Sequence, residues 1–310
     1  MEELYDVIII GAGPAGLSAA IYARRAELKT LIIERFTSGG QILSTYEVDN
    51  YPGLPGISGA ELGTKMGEHA DKFSPDRVMT EVEKIDFAEG KHKVVTGDGT
   101  FYAKTIILAT GNSAKSLGIP GEEEMVGAGV SYCATCDGAF YKGLDVAVIG
   151  GGDVAVEDAI FLARGCNKVY LVHRRDELRA AKSLQTAMFG TSNIEPVLSS
   201  TPDEIIANDD GEVSGLKITD VKSGNKKLLD VSGVFIAIGN NPNSSYLNSI
   251  DKDDKGYVVA DESCKTSVPG VYVAGDLRTK KLRQVSTAVA DGANAVYSIE
   301  EYLTIATFGT

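Results

Sequence analysis

The chain has 310 residues, 43% of them hydrophobic, with 35 glycines, four cysteines and a net charge of −13. That length suggests two domains, each with ample apolar content for a core. The acidic balance argues against nucleic acid and against an anionic membrane surface as partners, because both select a basic face.

The start of the chain, residues 1–6, is acidic and leads straight into a strand, so it does not read as a signal peptide. No apolar run approaches the roughly 18 residues that a transmembrane helix needs. A cytoplasmic location is therefore the expectation, and there the cysteines are not expected to form a disulfide framework. Residues 6–10 are a short continuous run of β-branched side chains after Asp6, the pattern of a buried parallel strand. Gly11-Ala12-Gly13-Pro14-Ala15-Gly16 follows, then helical character over 17–23 and a second strand over 30–33 that ends at Glu34. Strand, G-x-G-x-x-G turn, helix, strand and acid make a dinucleotide site. Gly11 makes the tight turn, Gly13 admits a pyrophosphate, Gly16 lets helix pack on strand, and Glu34 can accept hydrogen bonds from ribose hydroxyls.

Ser38-Gly39-Gly40-Gln41 and the stretch 47–53 read as loops. Gln41 and Asn50 there could bond a ligand's ring edge, or serve ordinary turn chemistry. Residues 58–73 read as an amphipathic helix. Three strands are expected over 77–108, with turns at Gly90 and at Asp98-Gly99, leading into Ala109-Thr110-Gly111-Asn112.

Next comes Cys133-Ala134-Thr135-Cys136-Asp137. Two cysteines with two residues between them can close a small ring, and Asp137 could trade a proton with a departing thiolate. Redox, structural and metal-binding roles all fit the pentapeptide taken alone. A zinc site would need two further ligands, and the chain has no second C-x-x-C and no H-x-x-x-H, so no metal is expected.

Residues 145–149 then repeat the pattern of 6–10, and Gly150-Gly151-Gly152-Asp153-Val154-Ala155 forms a G-x-G-x-x-A turn. A strand over 169–172 ends at His173, which lies as far beyond Glu34 as Gly150 lies beyond Gly11. The chain thus contains an internal repeat in register. At the strand end the acid of the first copy is replaced by His173-Arg174-Arg175, with Arg179 following. Arginine attracts a 2′-phosphate that an acid would repel. The first site therefore suits an unphosphorylated adenosine (FAD or NAD), and the second suits NADPH through Gly150, Gly152, Asp153, Ala155, His173, Arg174, Arg175 and Arg179. Asp153 can act as a helix N-cap. A third echo links 106–112 with 235–240 at a shorter spacing, so the second copy has lost residues ahead of that strand.

Residues 203–235 look like β-hairpins with turns at Asp210-Gly211 and Ser223-Gly224, and 240–243 is a crossover loop. The strand at 270–276 ends in Gly275-Asp276, where the acid can bind a sugar-alcohol chain. A helix is expected over 284–303, and the backbone N–H groups at its start, around Arg283, Gln284 and Val285, can meet a carbonyl edge. The basic run Arg278, Lys280, Lys281, Arg283 reads as a solvated loop, with a role facing a cofactor or an acidic partner as the alternative.

With these motifs in order, the chain resembles the low-molecular-weight thioredoxin reductases of the bacterial type. The resemblance is carried by Gly11 to Gly16, Gly39-Gly40-Gln41, Ala109-Thr110-Gly111, Cys133 to Asp137, Gly150 to Ala155, His173 to Ala180, Gly275-Asp276 and Arg283-Gln284. It implies an α/β fold with two Rossmann-like dinucleotide-binding domains of the two-dinucleotide flavoprotein type. An FAD domain would span 1–114 and 244–310, interrupted by an NADPH domain over 115–243 that carries the redox disulfide. Its FAD contacts would come from Gly11, Gly13, Pro14, Ala15, Gly16, Glu34, Gly40, Gln41, Asn50, Ala109, Thr110, Gly111, Asp276, Arg283, Gln284 and Val285. The resemblance further implies a homodimer, Cys136 nearest the flavin, Cys133 attacking the thioredoxin disulfide and Asp137 as the proton-transfer acid. Cysteines and nicotinamide would share one domain and visit one flavin by domain rotation. Related alternatives are a reductase for another small redox protein or one fed by ferredoxin; the intact second site with its arginines disfavours the latter.

Overall fold

The computed structural model describes residues 3–45 and 47–308. The chain divides into two compact units, Met1–Ser113 with Asn241–Thr310, and Ala114–Asn240.

In the first unit β1 (Leu4–Ile10), α1 (Pro14–Arg25) and β2 (Thr30–Glu34) form the first β-α-β turn of the fold, followed by α2 (Gly59–Asp71). The Ser58 hydroxyl caps α2 by accepting the Glu61 N–H at 3.1 Å, a satisfied donor at the otherwise open helix start. Four strands follow where three are expected: β3 (Asp76–Met79), β4 (Val82–Asp86), β5 (His92–Thr96) and β6 (Gly99–Leu108). β3 pairs parallel with β2, whereas β4 turns away to pair antiparallel with β5. No glycine or proline marks the break at Thr80-Glu81; the Thr80 N–H makes the last bond of the β3–β2 ladder, to the Glu34 carbonyl at 2.9 Å, before the chain turns away. The sheet order is β3-β2-β1-β6-β5-β4. Along β1, Val7 and Ile9 face a core shared with α1, while Ile8 and Ile10 face a second core on the other side of the sheet. This is the period-two consequence of a strand buried on both faces.

The chain leaves along β7 (Asn112–Ala114). The second unit contains β8 (Val130–Ser131), α3 (Ala134–Asp137), β9 (Asp145–Ile149), α4 (Asp153–Leu162), β10 (Lys168–Val172), α5 (Lys182–Phe189) and β11 (Ile194–Val197). After them come β12 (Ser200–Ala207), β13 (Val213–Asp220), β14 (Lys226–Leu229) and β15 (Gly233–Ile236). Its parallel sheet runs β11-β10-β9-β15-β8, and β12-β13-β14 form a separate antiparallel sheet. Val146 and Val148 of β9 pack with α4, and Ala147 and Ile149 pack with β12 and β13. The hairpin reading therefore holds for β12 to β14, but β15 is a central parallel strand.

The chain returns along β16 (Asn240–Pro242) to β17 (Val271–Val273) and α6 (Val285–Phe308). β17 pairs parallel with β6, Val271 opposite Ile106 and Val273 opposite Leu108. In the second unit β8 pairs parallel with β15 in the matching place, Val130 opposite Val234 and Ser131 opposite Phe235. Among the described residues, no helix is long and apolar enough to cross a membrane.

Candidate active site

In the first unit the loops named by the sequence converge on the carboxyl end of β1. The Gly11 N–H bonds the Ile33 carbonyl and the Ala109 N–H bonds the Ile10 carbonyl, each at 2.8 Å. Gly11 has φ +105°, and a Cβ there would run into the Ala109 carbonyl, so only glycine fits this turn. Pro14 opens α1, where its missing N–H costs nothing. Ala12 donates its N–H to the Glu34 carboxylate at 2.7 Å, so the acid is held at the turn. The Gly39 N–H bonds the Ala12 carbonyl at 2.8 Å, and the Gly40 backbone presses on Gly13. The Gln41 amide bonds the Asn112 carbonyl, just beyond Ala109-Thr110-Gly111.

Asn50 and Gln284 come together, amide to amide, at 2.9 Å. Val285 begins α6 and packs beside Ile42 and Val48. Gly275 lies against Ala15, which brings Asp276 to the start of α1. Arg283 donates to the Asp276 carbonyl at 3.3 Å and lies over the Tyr257 ring. Asp276 keeps one buried carboxylate oxygen, Oδ1, with no hydrogen-bond partner among the described residues. Burial pushes its pKa up, and Lys280 and Arg283 pull it back. Such an oxygen calls for a donor from a ligand.

The basic run is not a solvated loop at its first half. Arg278 and Lys280 are buried side chains, and both pair with the buried Asp291 of α6, at 2.8 and 2.6 Å. Asp291 also accepts the Gly275 N–H at 2.9 Å. The sequence reading missed Asp291 because nothing local marks it. It missed Tyr246 as well, whose hydroxyl lies beside Thr110 and is pushed up to about 12 by burial.

The second unit repeats the backbone bonds of the first: Gly150 N–H to the Val172 carbonyl at 3.0 Å and Ala237 N–H to the Ile149 carbonyl at 2.8 Å. Gly150 packs on Ala155, where an added Cβ would come within 2.6 Å. Above the loop the Gly152 face is open. Gly151 has no room for a Cβ because the His173 ring occupies that space. His173 is buried, and burial together with Arg179, Arg175 and Arg174 depresses its pKa. Arg179 donates its N–H to the Gly151 carbonyl at 2.7 Å, which fixes the arginine segment at the loop. Arg174, Arg175 and Arg179 are exposed, and none has its guanidinium in an ion pair among the described residues. Asp153 is not the N-cap; Gly152 is. The Asp153 carboxylate instead accepts the Ala181 N–H at 2.8 Å and ties the two helices α4 and α5 at their starts.

Cys133 and Cys136 form a disulfide with Cα atoms 5.3 Å apart. Cys133 stands at the N-cap of α3 and Cys136 within it. Asp137 closes that single turn. Its Oδ2 accepts a 2.6 Å hydrogen bond from the Ser131 hydroxyl, and its Oδ1 is buried without a partner among the described residues. Burial raises its pKa, and the Ser131 bond opposes that rise. The other two cysteines, Cys166 and Cys264, are buried thiols pushed up to about 11 and about 12 by burial, which leaves them poor nucleophiles.

The comparisons agree with this layout. Residues 5–292 match the family model described as pyridine nucleotide-disulphide oxidoreductase. A thioredoxin reductase of Listeria monocytogenes is 44% identical over 303 residues, covering 97% of this chain and 95% of its own. One from Bacillus subtilis is 43% identical over 305 residues, covering 97% and 96%. The crystal structure of thioredoxin reductase from Streptococcus pyogenes superposes with a TM-score of 0.93 at 44% identity, covering 98% of this chain and 99% of that one. The chain belongs to the pyridine nucleotide-disulphide oxidoreductase family, among its thioredoxin reductases.

Proposed function

We propose that the chain is an NADPH-dependent flavoprotein that reduces the disulfide of a thioredoxin through Cys133 and Cys136. The observation that carries the reading is the disulfide on a one-turn helix, closed by a buried carboxyl group, in the unit that also holds the second nucleotide loop. The name thioredoxin reductase on the curated relatives supports thioredoxin as the acceptor over another small redox protein.

The residues fit both cofactors. For FAD, Gly11, Gly13, Pro14, Ala15 and Gly16 would hold the pyrophosphate at the start of α1, with Glu34 on the adenosine ribose. The orphaned Asp276 Oδ1 would accept a hydroxyl of the sugar-alcohol chain. Gly40, Gln41, Asn50, Ala109, Thr110, Gly111, Arg283, Gln284 and Val285 would line the ring. For NADPH, Gly150, Gly152, Asp153 and Ala155 would shape the loop, His173 would support it from below, and Arg174, Arg175 and Arg179 would clamp the 2′-phosphate. The chemistry that FAD supplies when bound is the relay of two electrons, taken as hydride from NADPH and delivered to the disulfide.

With the pair reduced, the Cys133 thiolate attacks one sulfur of the thioredoxin disulfide, and the other sulfur leaves as a thiolate. Asp137 gives that leaving thiolate its proton. Cys136 then attacks Cys133 Sγ, which re-forms the internal disulfide and frees the second thioredoxin thiolate. A cytoplasmic setting, where thioredoxin is kept reduced, suits this traffic. The enzyme is read as a homodimer, with Tyr297 and Ile305 as exposed apolar side chains of α6 available for burial; sedimentation would test it.

Anaerobic titration with NADPH tests the proposal as a whole. The purified protein should be yellow and bleach on titration. Cys136→Ser should still bleach yet lose thioredoxin reduction. A colourless protein, or full thioredoxin turnover by Cys136→Ser, would overturn the reading.

A further inference from the structure

The Ser131 hydroxyl sits between the two groups that the proposed exchange step must coordinate. Ser131 ends β8 and is buried. Its Oγ is 2.6 Å from Asp137 Oδ2 and also accepts the Cys133 N–H at 3.0 Å. The Cys133 carbonyl is a competing acceptor for the hydroxyl proton, but at 3.4 Å. A neutral carbonyl at that distance loses to a carboxylate oxygen at 2.6 Å. The hydroxyl hydrogen therefore points at Asp137, and a lone pair takes the Cys133 amide.

The two carboxyl oxygens of Asp137 are thereby made unequal. Oδ2 is held by a donor, while Oδ1 is buried with no partner among the described residues. A proton placed on the carboxyl group belongs on Oδ1, because Oδ2 already receives one. Few other groups compete for Asp137. The α3 turn offers the two cysteines. The next turn offers Tyr141, whose phenol is pushed up to about 12 by burial and then by Asp137, Glu212 and Cys166, so it is not ionised near neutrality. From α4, Phe161 and Leu162 crowd Gly138 and are apolar. One turn earlier Asp158 is an acid pushed up to about 7 by burial and by Glu157; its titration would persist in Asp137→Asn. From β15, Phe235 meets the Tyr141 ring edge-on.

We infer that Ser131 is a positioning residue for proton transfer: it fixes Asp137 Oδ2, directs the mobile proton to Oδ1, and ties the acid to the backbone of Cys133. The inference rests on the reading of Asp137 as the acid. In the step, the proton on Oδ1 passes to the thiolate that leaves thioredoxin, and the carboxylate so formed is stabilised by the Ser131 O–H. Without that donor the carboxylate is destabilised, so the proton is held more tightly.

The test is single-turnover oxidation of the NADPH-reduced enzyme by thioredoxin disulfide, followed from pH 5 to pH 10. The limb that reports loss of the Asp137 proton should vanish in Asp137→Asn. In Ser131→Ala it should move up by about one pH unit, the size expected for one hydrogen bond to a charged group. Ser131→Thr, which keeps the hydroxyl, should restore the limb. In the Asp137→Asn background, Ser131→Ala should change nothing further. Infrared difference spectra of the carboxyl band should show the same shift without turnover, so a slow variant still reports. A slower Ser131→Ala enzyme whose limb and carboxyl band stay in place would mean a merely structural serine and overturn the inference alone. A limb that survives in Asp137→Asn would overturn the reading of Asp137 itself.

Discussion

At the scale of single residues, the proposed nucleotide for each unit rests on the contrast between Glu34 and His173. Glu34 receives the Ala12 N–H; at the repeat position His173 packs its ring where a Cβ of Gly151 would stand. The swap of acid for His-Arg-Arg was legible in the sequence because it falls at a strand end within an in-register repeat. The reason for three consecutive glycines was not legible, since only the folded ring position explains the middle one. The exposed Arg174 and Arg175 have no carboxylate partner among the described residues to compete with a ligand. Arg174→Ala with Arg175→Ala should therefore raise the KM for NADPH. At about 1.5 kcal/mol or more per charged hydrogen bond lost, the rise is at least about tenfold. The KM for NADH should change little. Steady-state kinetics with both coenzymes measures this, and an unchanged NADPH/NADH preference would contradict the 2′-phosphate clamp.

At the scale of elements, each unit ends its parallel sheet with a strand beside the third repeat strand, β17 on β6 and β8 on β15. The turn after β17 carries Gly275-Asp276, and the turn after β8 carries Cys133 to Asp137. The disulfide thus occupies in one unit the place that the proposed sugar-chain acid occupies in the other. Both lie beyond the carboxyl ends of parallel strands, where open α/β sheets place their ligands. The sequence could not show this correspondence. β8 has two residues and no periodicity, and it precedes its sheet partners in the chain whereas β17 follows them. The basic run was misread for a related reason: Arg278 and Lys280 look solvated until α6 brings Asp291 beneath them. Asp291→Ala would leave both cations buried without the carboxylate they share, at a cost of about 3–5 kcal/mol. It would also strip the acceptor from the Gly275 N–H that sets up Asp276. For a unit of this size, a fall in Tm of about 10 °C is expected by calorimetry, together with FAD lost on gel filtration. A variant with wild-type Tm and full FAD would show that the network does not hold the turn.

At the scale of the whole molecule, the division of labour between units sets the kinetic problem. The second nucleotide loop and the disulfide belong to Ala114–Asn240, while the first loop, Asp276 and the start of α6 belong to the other unit. In the proposed reaction electrons enter from a nicotinamide on one unit, pass to a flavin on the other and return to a disulfide on the first. Each transfer needs reacting atoms about 3–3.5 Å apart. In that proposal donor and acceptor ride on the same unit and share one ring, so turnover would require an exchange between two arrangements. That exchange moves a whole folded unit through solvent, and such motions often limit kcat. Raising the relative viscosity twofold with sucrose should then lower kcat by up to about twofold. FAD content should be unchanged, and the extent of bleaching by NADPH should be unchanged. A larger polymer that raises bulk viscosity without slowing small-scale motion should have less effect at the same reading. A kcat indifferent to sucrose would assign the slow step to chemistry at the flavin or the disulfide, and the Ser131 and Asp137 variants would then report directly on turnover.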